Sequence, residues 1–208
     1  MALYQFHQSE LIEWSIWDVS ETIDELLSLQ ILQPYINLIS SIKSQKRKKE
    51  FLIARLLLNQ MFAQEIQVCY DEFGAPFIEG SDWNVSISHS GSFVAVARSK
   101  KALGIDVELI SDKLERTKHK YSSEQELSQI DSNQNLYHLA LSWSAKESVY
   151  KMVGCEALIF DRQMQIQAFT PKSEGEFKVK LLASKLKTDV KIVYSKHGDY
   201  VFTYCVLE

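Results

Sequence analysis

Three carboxylate side chains are the residues whose type and spacing best suit them to chemistry. Asp106 and Glu108 are two positions apart in residues 103–110, an apolar stretch typical of a β-strand, so both point to the same face. Glu147 lies in residues 135–152, which contain no Gly or Pro and whose apolar positions recur at helical spacing. Oxygen ligands of this kind suit Mg²⁺, which usually shares its coordination shell with substrate phosphates. If the helix and the strand meet, the three carboxylates could form an all-oxygen metal site.

Glu147 also has a purely structural explanation. It falls within an apolar stripe that we expect to face the core, so it needs a partner or its pKa rises. The stripe consists of Leu136, Ala140, Trp143 and Tyr150. Lys151, four residues further on, can reach Glu147, and the two would then be a partly buried structural ion pair.

The strand acids have a similar alternative. Asp106 and Glu108 could lie on a solvated strand face, where two like charges are screened by water. However, the sequence LGI at residues 103–105 is typical of an interior strand rather than an edge strand. That context favours a pair of acids turned toward another element.

Basic residues that could bind an anion are concentrated in the first half of the chain. Residues 43–62 are predicted to form a helix, which opens with a basic run at residues 46–49 and carries Arg55 within its apolar part. Arg and Lys hold phosphate by charge-assisted hydrogen bonds, so Lys46, Arg47 and Arg55 could form an anion site. The alternatives are a solvated helix face and, for Arg55, a stem that packs on the core.

Ser88 and His89 lie at the end of the first strand of a predicted hairpin, residues 85–97, followed by the small polar sequence SGS. Such a loop can present hydrogen-bond donors to an anion. A structural or solvated histidine is the alternative.

The remaining pattern predicts a mixture of helices and strands. Residues 21–32 are predicted to be a helix capped by Ser20 that ends before Pro34. A short helix through residue 130 would be capped by Ser122 or Ser123, and residues 111–120 are predicted to be a polar loop. Further strands are predicted at residues 14–19, 165–169, 177–182, 190–194 and 200–206.

Composition places the chain among ordinary globular proteins. It has 208 residues, 46% hydrophobic and 24% charged, and a formal net charge of −4, so nothing suggests a general nucleic-acid binder. Cys69, Cys155 and Cys205 are an odd number with wide spacing, which favours reduced thiols over a zinc site. We see no signal peptide and no apolar run long enough for a membrane span, and we therefore expect a cytoplasmic protein.

Three blocks of sequence, in this order and spacing, resemble the signature blocks of the 4′-phosphopantetheinyl transferases. They are SISHS at residues 86–90, GIDVE at 104–108 and WSAKESVYK at 143–151. The length is similar to that of the Sfp-type branch, in which one chain forms two lobes. The resemblance runs from about residue 43 to residue 152. Because each half of the chain carries one long helix and several strands, we predict lobes at residues 1–102 and 103–208.

The resemblance implies a fold and an activity. The fold class would be α+β, with two similar α/β lobes related by pseudo-twofold symmetry, each a small antiparallel sheet packed on a long helix, and the active site between them. Members move the 4′-phosphopantetheine arm of coenzyme A onto a serine of an acyl or peptidyl carrier protein. Adenosine 3′,5′-bisphosphate is released, and the reaction depends on Mg²⁺.

The resemblance also implies roles for individual residues. The residues matching Asp106, Glu108 and Glu147 hold the metal, and the one matching Glu147 is a candidate to help deprotonate the carrier serine. Lys151 joins Glu147 as a catalytic residue. Coenzyme A phosphates would be bound by Lys46, Arg47, Arg55, Ser88, His89, Lys146 and Lys151.

One departure from the family is visible at residues 74–76. This chain has Gly-Ala-Pro where the family often has Gly-Lys-Pro, so Ala75 removes one cation from the coenzyme pocket. Arg98 or a residue of the run at 46–49 could replace it. Two other functions stay open, a non-catalytic coenzyme A-binding module and a divalent-metal phosphohydrolase. We expect a monomer, because a two-lobed chain could build the site alone.

Overall fold

The structure, a computed structural model, describes residues 3–154, 158–182 and 188–207. It divides into two compact units, Met1–Lys100 and Lys101–Glu208. Each unit contains one antiparallel sheet and one long helix, which confirms the predicted α+β class. The pseudo-twofold relation and the active site between the lobes stay predictions.

The first unit is built on a six-stranded sheet in the order β1-β2-β6-β5-β4-β3. Its strands are β1 (Leu3–Gln8), β2 (Glu13–Asp18), β3 (Val68–Tyr70), β4 (Pro76–Ile78), β5 (Asn84–Ser90) and β6 (Phe93–Ser99). Its helices are α1 (Ile23–Leu27), a 3₁₀ segment (Gln30–Tyr35), α2 (Ile36–Ser40) and α3 (Gln45–Phe62).

The predicted helix over residues 43–62 is confirmed as α3. Ser44 caps it by accepting a hydrogen bond from the backbone N–H of Arg47, and Ala63 ends it in the left-handed region at φ 51°. Leu52 and Leu57 are buried in the same core cluster as Val94 and Val96 of β6. Burial of this apolar face fixes α3 against the sheet.

The predicted helix over residues 21–32 is shorter than expected. Thr22, not Ser20, is the N-cap, because Thr22 and Glu25 form a reciprocal capping box. The helix ends at Leu27, before Pro34 as predicted, and Pro34 itself lies inside the following 3₁₀ segment.

The second unit is built on a five-stranded sheet in the order β7-β11-β10-β9-β8. Its strands are β7 (Leu103–Leu109), β8 (Met164–Ile166), β9 (Glu174–Leu181), β10 (Asp189–His197) and β11 (Tyr200–Val206). Its helices are α4 (Asp112–Thr117), a 3₁₀ turn (Lys118–Lys120), α5 (Glu124–Leu127), α6 (Asn135–Val153) and α7 (Phe160–Gln163).

Two predictions for this unit need correction. The strand β7 ends the sheet order among the described strands, so the interior position inferred from its sequence is wrong. Leu103, Ile105 and Val107 are nevertheless buried. Residues 112–120 are helical rather than the predicted loop, since acids in the first turn of α4 favour a helix start and Leu114 is buried. Of the two predicted caps, Ser123 is the one that forms a capping box, with Glu126, and α5 ends at Leu127 rather than at residue 130.

Among the described residues, no helix has both the length and the apolar character needed to cross a membrane. Cys69 and Cys205 are free thiols, and Cys155 lies outside the described residues.

Candidate functional site

Helix α6 lies unusually close to the sheet of the second unit. A Cβ atom built on Gly104 would be 1.8 Å from the carbonyl oxygen of Ser148, so only glycine fits at this strand position. The hydroxyls of Ser144 and Ser148 lie 2.9 Å and 2.7 Å from the hydroxyl of Thr203 on β11. These small side chains form a close-contact seam, which fixes the register of α6 against β7 and β11.

The seam brings Asp106 next to Lys151. Asp106 points to the same face as Gly104 and is buried. Lys151 Nζ donates to Asp106 Oδ1 at 2.9 Å and to the carbonyl oxygen of Ile105 at 3.0 Å. Lys151 therefore forms its ion pair with Asp106, and the predicted pairing with Glu147 is corrected, because α6 turns the ammonium toward the strand.

Glu108 meets the preceding part of the same helix. Trp143 Nε1 donates to Glu108 Oε2 at 3.2 Å. Trp143, Glu147 and Lys151 are spaced by four residues each, so they lie on one side of α6. Glu147 consequently occupies the turn between the two residues that contact the strand acids.

The pKa of Glu147 is shifted by the groups around it. The pKa of Glu147 is raised to about 7, mainly by burial and then by the charges of Asp106 and Glu108, while the charge of Lys151 acts in the opposite direction. Glu147 is half-buried, so it remains within reach of solvent. A carboxyl group with this pKa exchanges a proton near neutral pH.

The three acids carry the oxygen donors that Mg²⁺ prefers, and their mutual repulsion at Glu147 is what a bound cation would relieve. In the conformation described, no group of three or more His, Cys, Asp or Glu side chains within residues 3–154, 158–182 and 188–207 is arranged to hold a metal ion. The three carboxylates are thus of the right chemical type for the predicted metal but are not gathered around one point in this conformation, in which Lys151 supplies the positive charge at Asp106.

Lys146 has a different role from the one expected. It is 0% exposed, and its Nζ donates to Tyr121 O at 2.7 Å, Glu126 Oε2 at 2.9 Å and Phe160 O at 2.9 Å. An ammonium has three N–H donors, so none is left for a phosphate. We correct the predicted coenzyme A contact of Lys146 to a structural one, because the residue points into the core beside Glu147.

Aromatic rings line the helix near Glu147. Trp143 lies between Tyr121 and Phe160, with ring centroids at 5.0 Å and 5.5 Å, and Phe160 also contacts Tyr150 at 5.7 Å. Tyr150 is 37% exposed, so its assignment to a core-facing stripe is wrong. The sequence carried no signal for Tyr121 and Phe160, since their contacts depend on tertiary structure.

The first unit contains a cavity of about 350 Å³ that gathers three of the predicted coenzyme-binding residues, Arg47, Arg55 and His89. Its other lining residues are Ile42, Glu50, Phe51, Ala54, Tyr70, Gly74, Pro76 and Ile87. The helix α3 and the strand end of β5 supply the polar side chains.

Arg55 is the most buried cation of this cavity, at 3% exposed. Its guanidinium lies 4.1 Å from the ring centre of Phe51 and 5.5 Å from that of Tyr70, and it donates to Tyr70 Oη at 3.1 Å. No carboxylate of the described residues forms an ion pair with it, so its charge is compensated by aromatic rings alone. A buried guanidinium of this kind at a cavity wall favours an anionic ligand.

The other predicted coenzyme-binding residues of this unit differ in position. Lys46 lies 3.7 Å from Glu50 and has a largely exposed side chain, whereas Ser88 is buried and is not among the residues that line the cavity. Glu50 was missed by the sequence analysis. Its spacing of four and three residues from Lys46 and Arg47 was an available signal.

Arg98 does not replace the cation lost at position 75. It donates to Glu13 Oε2 from Nη2 at 2.6 Å and from Nε at 2.9 Å. Its guanidinium also lies over the rings of Phe62 and Trp83, at 4.7 Å from each ring centre. That suggestion is therefore corrected, because Arg98 is held on another part of the sheet.

Comparison with known protein families gives a match to the second half of the chain. The family model described as 4′-phosphopantetheinyl transferase superfamily matches residues 102–205, which is half of the chain. The matched range contains the blocks at 104–108 and 143–151, and the block at 86–90 lies outside it. No curated protein matches the chain.

Proposed function

The chain belongs to the 4′-phosphopantetheinyl transferase superfamily, and from that membership we propose that it converts an apo carrier protein into its holo form. It would transfer the 4′-phosphopantetheine group of coenzyme A to a serine of an acyl or peptidyl carrier protein and release adenosine 3′,5′-bisphosphate. The single observation that carries this proposal is that Trp143 and Lys151, one helical turn on either side of Glu147, contact Glu108 and Asp106. The helix α6 thus carries Glu147 along the part of β7 that holds the two strand acids.

Magnesium is part of the proposal. Asp106, Glu108 and Glu147 would hold Mg²⁺ through their carboxylate oxygens. When bound, the ion supplies positive charge to the pyrophosphate oxygens of coenzyme A.

The residues of the chain itself would bind and orient the reactants. Glu147, with a pKa of about 7, can accept the proton of the carrier serine hydroxyl at a carboxylate oxygen. Among the described residues, Lys151 Nζ uses two donors on Ile105 and Asp106, so its third donor can reach a phosphate oxygen. Trp143 orients Glu108 through its indole N–H. Charge stabilisation and positioning of this kind account for most of the rate in phosphoryl transfer.

The cavity of the first unit would bind a phosphate of coenzyme A. Arg55 offers a buried charge that pairs with no carboxylate among the described residues, and Arg47 and His89 line the same cavity. Lys46 does not line the cavity but lies 3.7 Å from Glu50, which does. The cationic lining and the volume of about 350 Å³ support an anionic group of nucleotide size.

The test is a loading assay with the purified chain, coenzyme A, Mg²⁺ and an apo acyl carrier protein. We expect the carrier mass to increase by one phosphopantetheine, and no increase with EDTA or with a carrier whose modified serine is changed to alanine. Cleavage of coenzyme A without any gain on the carrier would instead indicate a phosphohydrolase. Binding of coenzyme A with neither reaction would indicate a binding module.

A further inference from the structure

Glu50 is a buried carboxylate among basic side chains at the first-unit cavity. Its side chain is 7% exposed, and its Oε2 lies 2.9 Å from Arg47 Nη1. Its Oε1 lies 3.4 Å from His89 Nδ1 and 3.7 Å from Lys46 Nζ. The two oxygens thus face three basic side chains, and Glu50 itself lines the cavity.

A carboxylate in this position needs an explanation if the cavity binds a phosphate. Two negative groups a few ångströms apart repel each other, and the repulsion is stronger away from bulk water. By direct electrostatics Glu50 would therefore weaken the binding of a phosphate. Its contribution to such a site has to come through the side chains that it holds.

The geometry shows what Glu50 holds. Lys46, Arg47 and Glu50 lie within one turn of α3, whereas His89 belongs to β5. Arg47 also contacts His89 through Nη1 and Nε2. Glu50 therefore connects the helix to the strand and fixes the direction of Arg47, whose side chain is 57% exposed and would otherwise be free to turn into solvent.

We propose that Glu50 is a positioning residue, which holds Arg47 and His89 in the orientation that binds a phosphate of coenzyme A. This inference rests on the proposed function. It assigns no direct contact between Glu50 and the coenzyme. Side chains that are already fixed in place bind an anion more tightly than mobile ones, because less side-chain entropy is lost on binding.

The two possible effects of Glu50 have opposite signs, which makes the proposal testable. If Glu50 acts by position, Glu50→Ala weakens coenzyme A binding. If Glu50 acts only by its negative charge, the same variant tightens coenzyme A binding. The result is the same if Glu50 pairs with the basic side chains until a phosphate displaces it.

The experiment measures the Kd of coenzyme A by isothermal titration calorimetry for the full chain and its variants Glu50→Ala, Arg47→Ala and the double variant. We expect Glu50→Ala to raise Kd about 10-fold in the wild-type background and less than about 2-fold in the Arg47→Ala background, since neighbouring residues that act together are not additive. With a carrier substrate, KM for coenzyme A should rise while kcat stays within about 2-fold.

Glu13→Ala is the matched control. Glu13 is also a buried carboxylate of the first unit and pairs with Arg98, but neither residue lines the cavity. We expect it to leave the Kd of coenzyme A unchanged, which separates positioning from a general loss of stability. If Glu50→Ala does not fold, Glu50→Gln replaces it in the measurement of Kd, because glutamine keeps the shape of the side chain and removes its charge.

Three results would overturn the proposal. The first is a Kd for Glu50→Ala equal to or below the wild-type value. The second is a double variant whose rise in Kd equals the product of the rises in the two single variants. The third is a Glu13→Ala variant that loses as much affinity for coenzyme A as Glu50→Ala. If Arg47→Ala weakens binding and Glu50→Ala does not, only the role of Glu50 fails. A wild-type chain that binds no coenzyme A would overturn both this inference and the proposed function.

Discussion

Lys151 Nζ lies 2.9 Å from Asp106 Oδ1 and 3.0 Å from the carbonyl oxygen of Ile105. One ammonium of α6 thus binds both a side chain and the backbone of β7. The contact compensates the buried charge of Asp106 and ties the helix to the strand at the acidic cluster.

The first prediction concerns Lys151. We expect Lys151→Ala to lower kcat/KM for carrier loading by at least about 100-fold, because a positive charge at the phosphate is lost. Stability, measured by urea unfolding, should fall by about 3 kcal/mol, because Asp106 is left buried without its counter-charge, and the activity is therefore measured under conditions in which the variant is folded. Lys191→Ala, which removes the ion pair with Glu176 in the same unit, is the control and should retain full activity. If both variants lose activity equally, Lys151 has no special role.

The second prediction concerns the charge of Glu147. Its pKa in the folded chain, about 7, is above the ordinary value of 4.5, so the folded state loses stability as pH rises from 5 through 7. Glu147→Gln removes this titration. In EDTA we expect the variant to gain stability over wild type between pH 5 and pH 8, on the order of 2 kcal/mol, by thermal unfolding at each pH.

The same variant should abolish carrier loading in the presence of Mg²⁺. Stability and activity would then change in opposite directions, as is common where a site holds like charges together. A Glu147→Gln variant that loads the carrier at a near-normal rate would contradict the assigned role.

The third prediction tests the structural assignment of Lys146. Lys146→Met leaves Glu126 without its buried counter-charge, and we expect unfolding to become easier by about 3–5 kcal/mol. Glu126→Ala should have a similar effect. Below the melting temperature, the Kd of coenzyme A should stay within about 2-fold of wild type for both variants. If a stable Lys146→Met protein binds coenzyme A weakly, Lys146 contacts the coenzyme and the structural assignment is wrong.

The fourth prediction compares two strand glycines. Gly104→Ala would place a methyl group 1.8 Å from a backbone oxygen of α6, so we expect a loss of about 3 kcal/mol or more in the free energy of unfolding. Gly175→Ala brings its methyl group to 2.9 Å from Tyr194 Oη, the movable end of a side chain, and should cost less than about 1.5 kcal/mol. The free energy of unfolding of both variants is measured by chemical denaturation. Equal losses for Gly104→Ala and Gly175→Ala would show that the close-contact seam is not tightly packed.

The sequence predicted the elements whose apolar spacing is long and regular. The helices α3 and α6 and the strand β7 match their predicted ranges within two residues at either end, since burial of one face determines each of them. The capping box at Ser123 was also predictable, because it depends on residues only three positions apart.

Contacts between distant residues could not be predicted in the same way. The core position of Lys146 depends on backbone carbonyls of Tyr121 and Phe160, which have no side-chain pattern to reveal them. The choice of Asp106 over Glu147 as the partner of Lys151 depends on the rotation of α6 over β7. A local rule for pairs four residues apart cannot determine that rotation.

The close-contact seam at Gly104, Ser144 and Ser148 has a consequence for how this chain can evolve. Each residue advances an α-helix by about 100°, so one residue inserted or deleted between Ser148 and Lys151 would swing the ammonium away from β7. Substitutions at the outward-facing Tyr150 leave that alignment intact. We therefore expect homologous chains to differ in the identity of outward residues here, while the number of residues between Trp143 and Lys151 never changes.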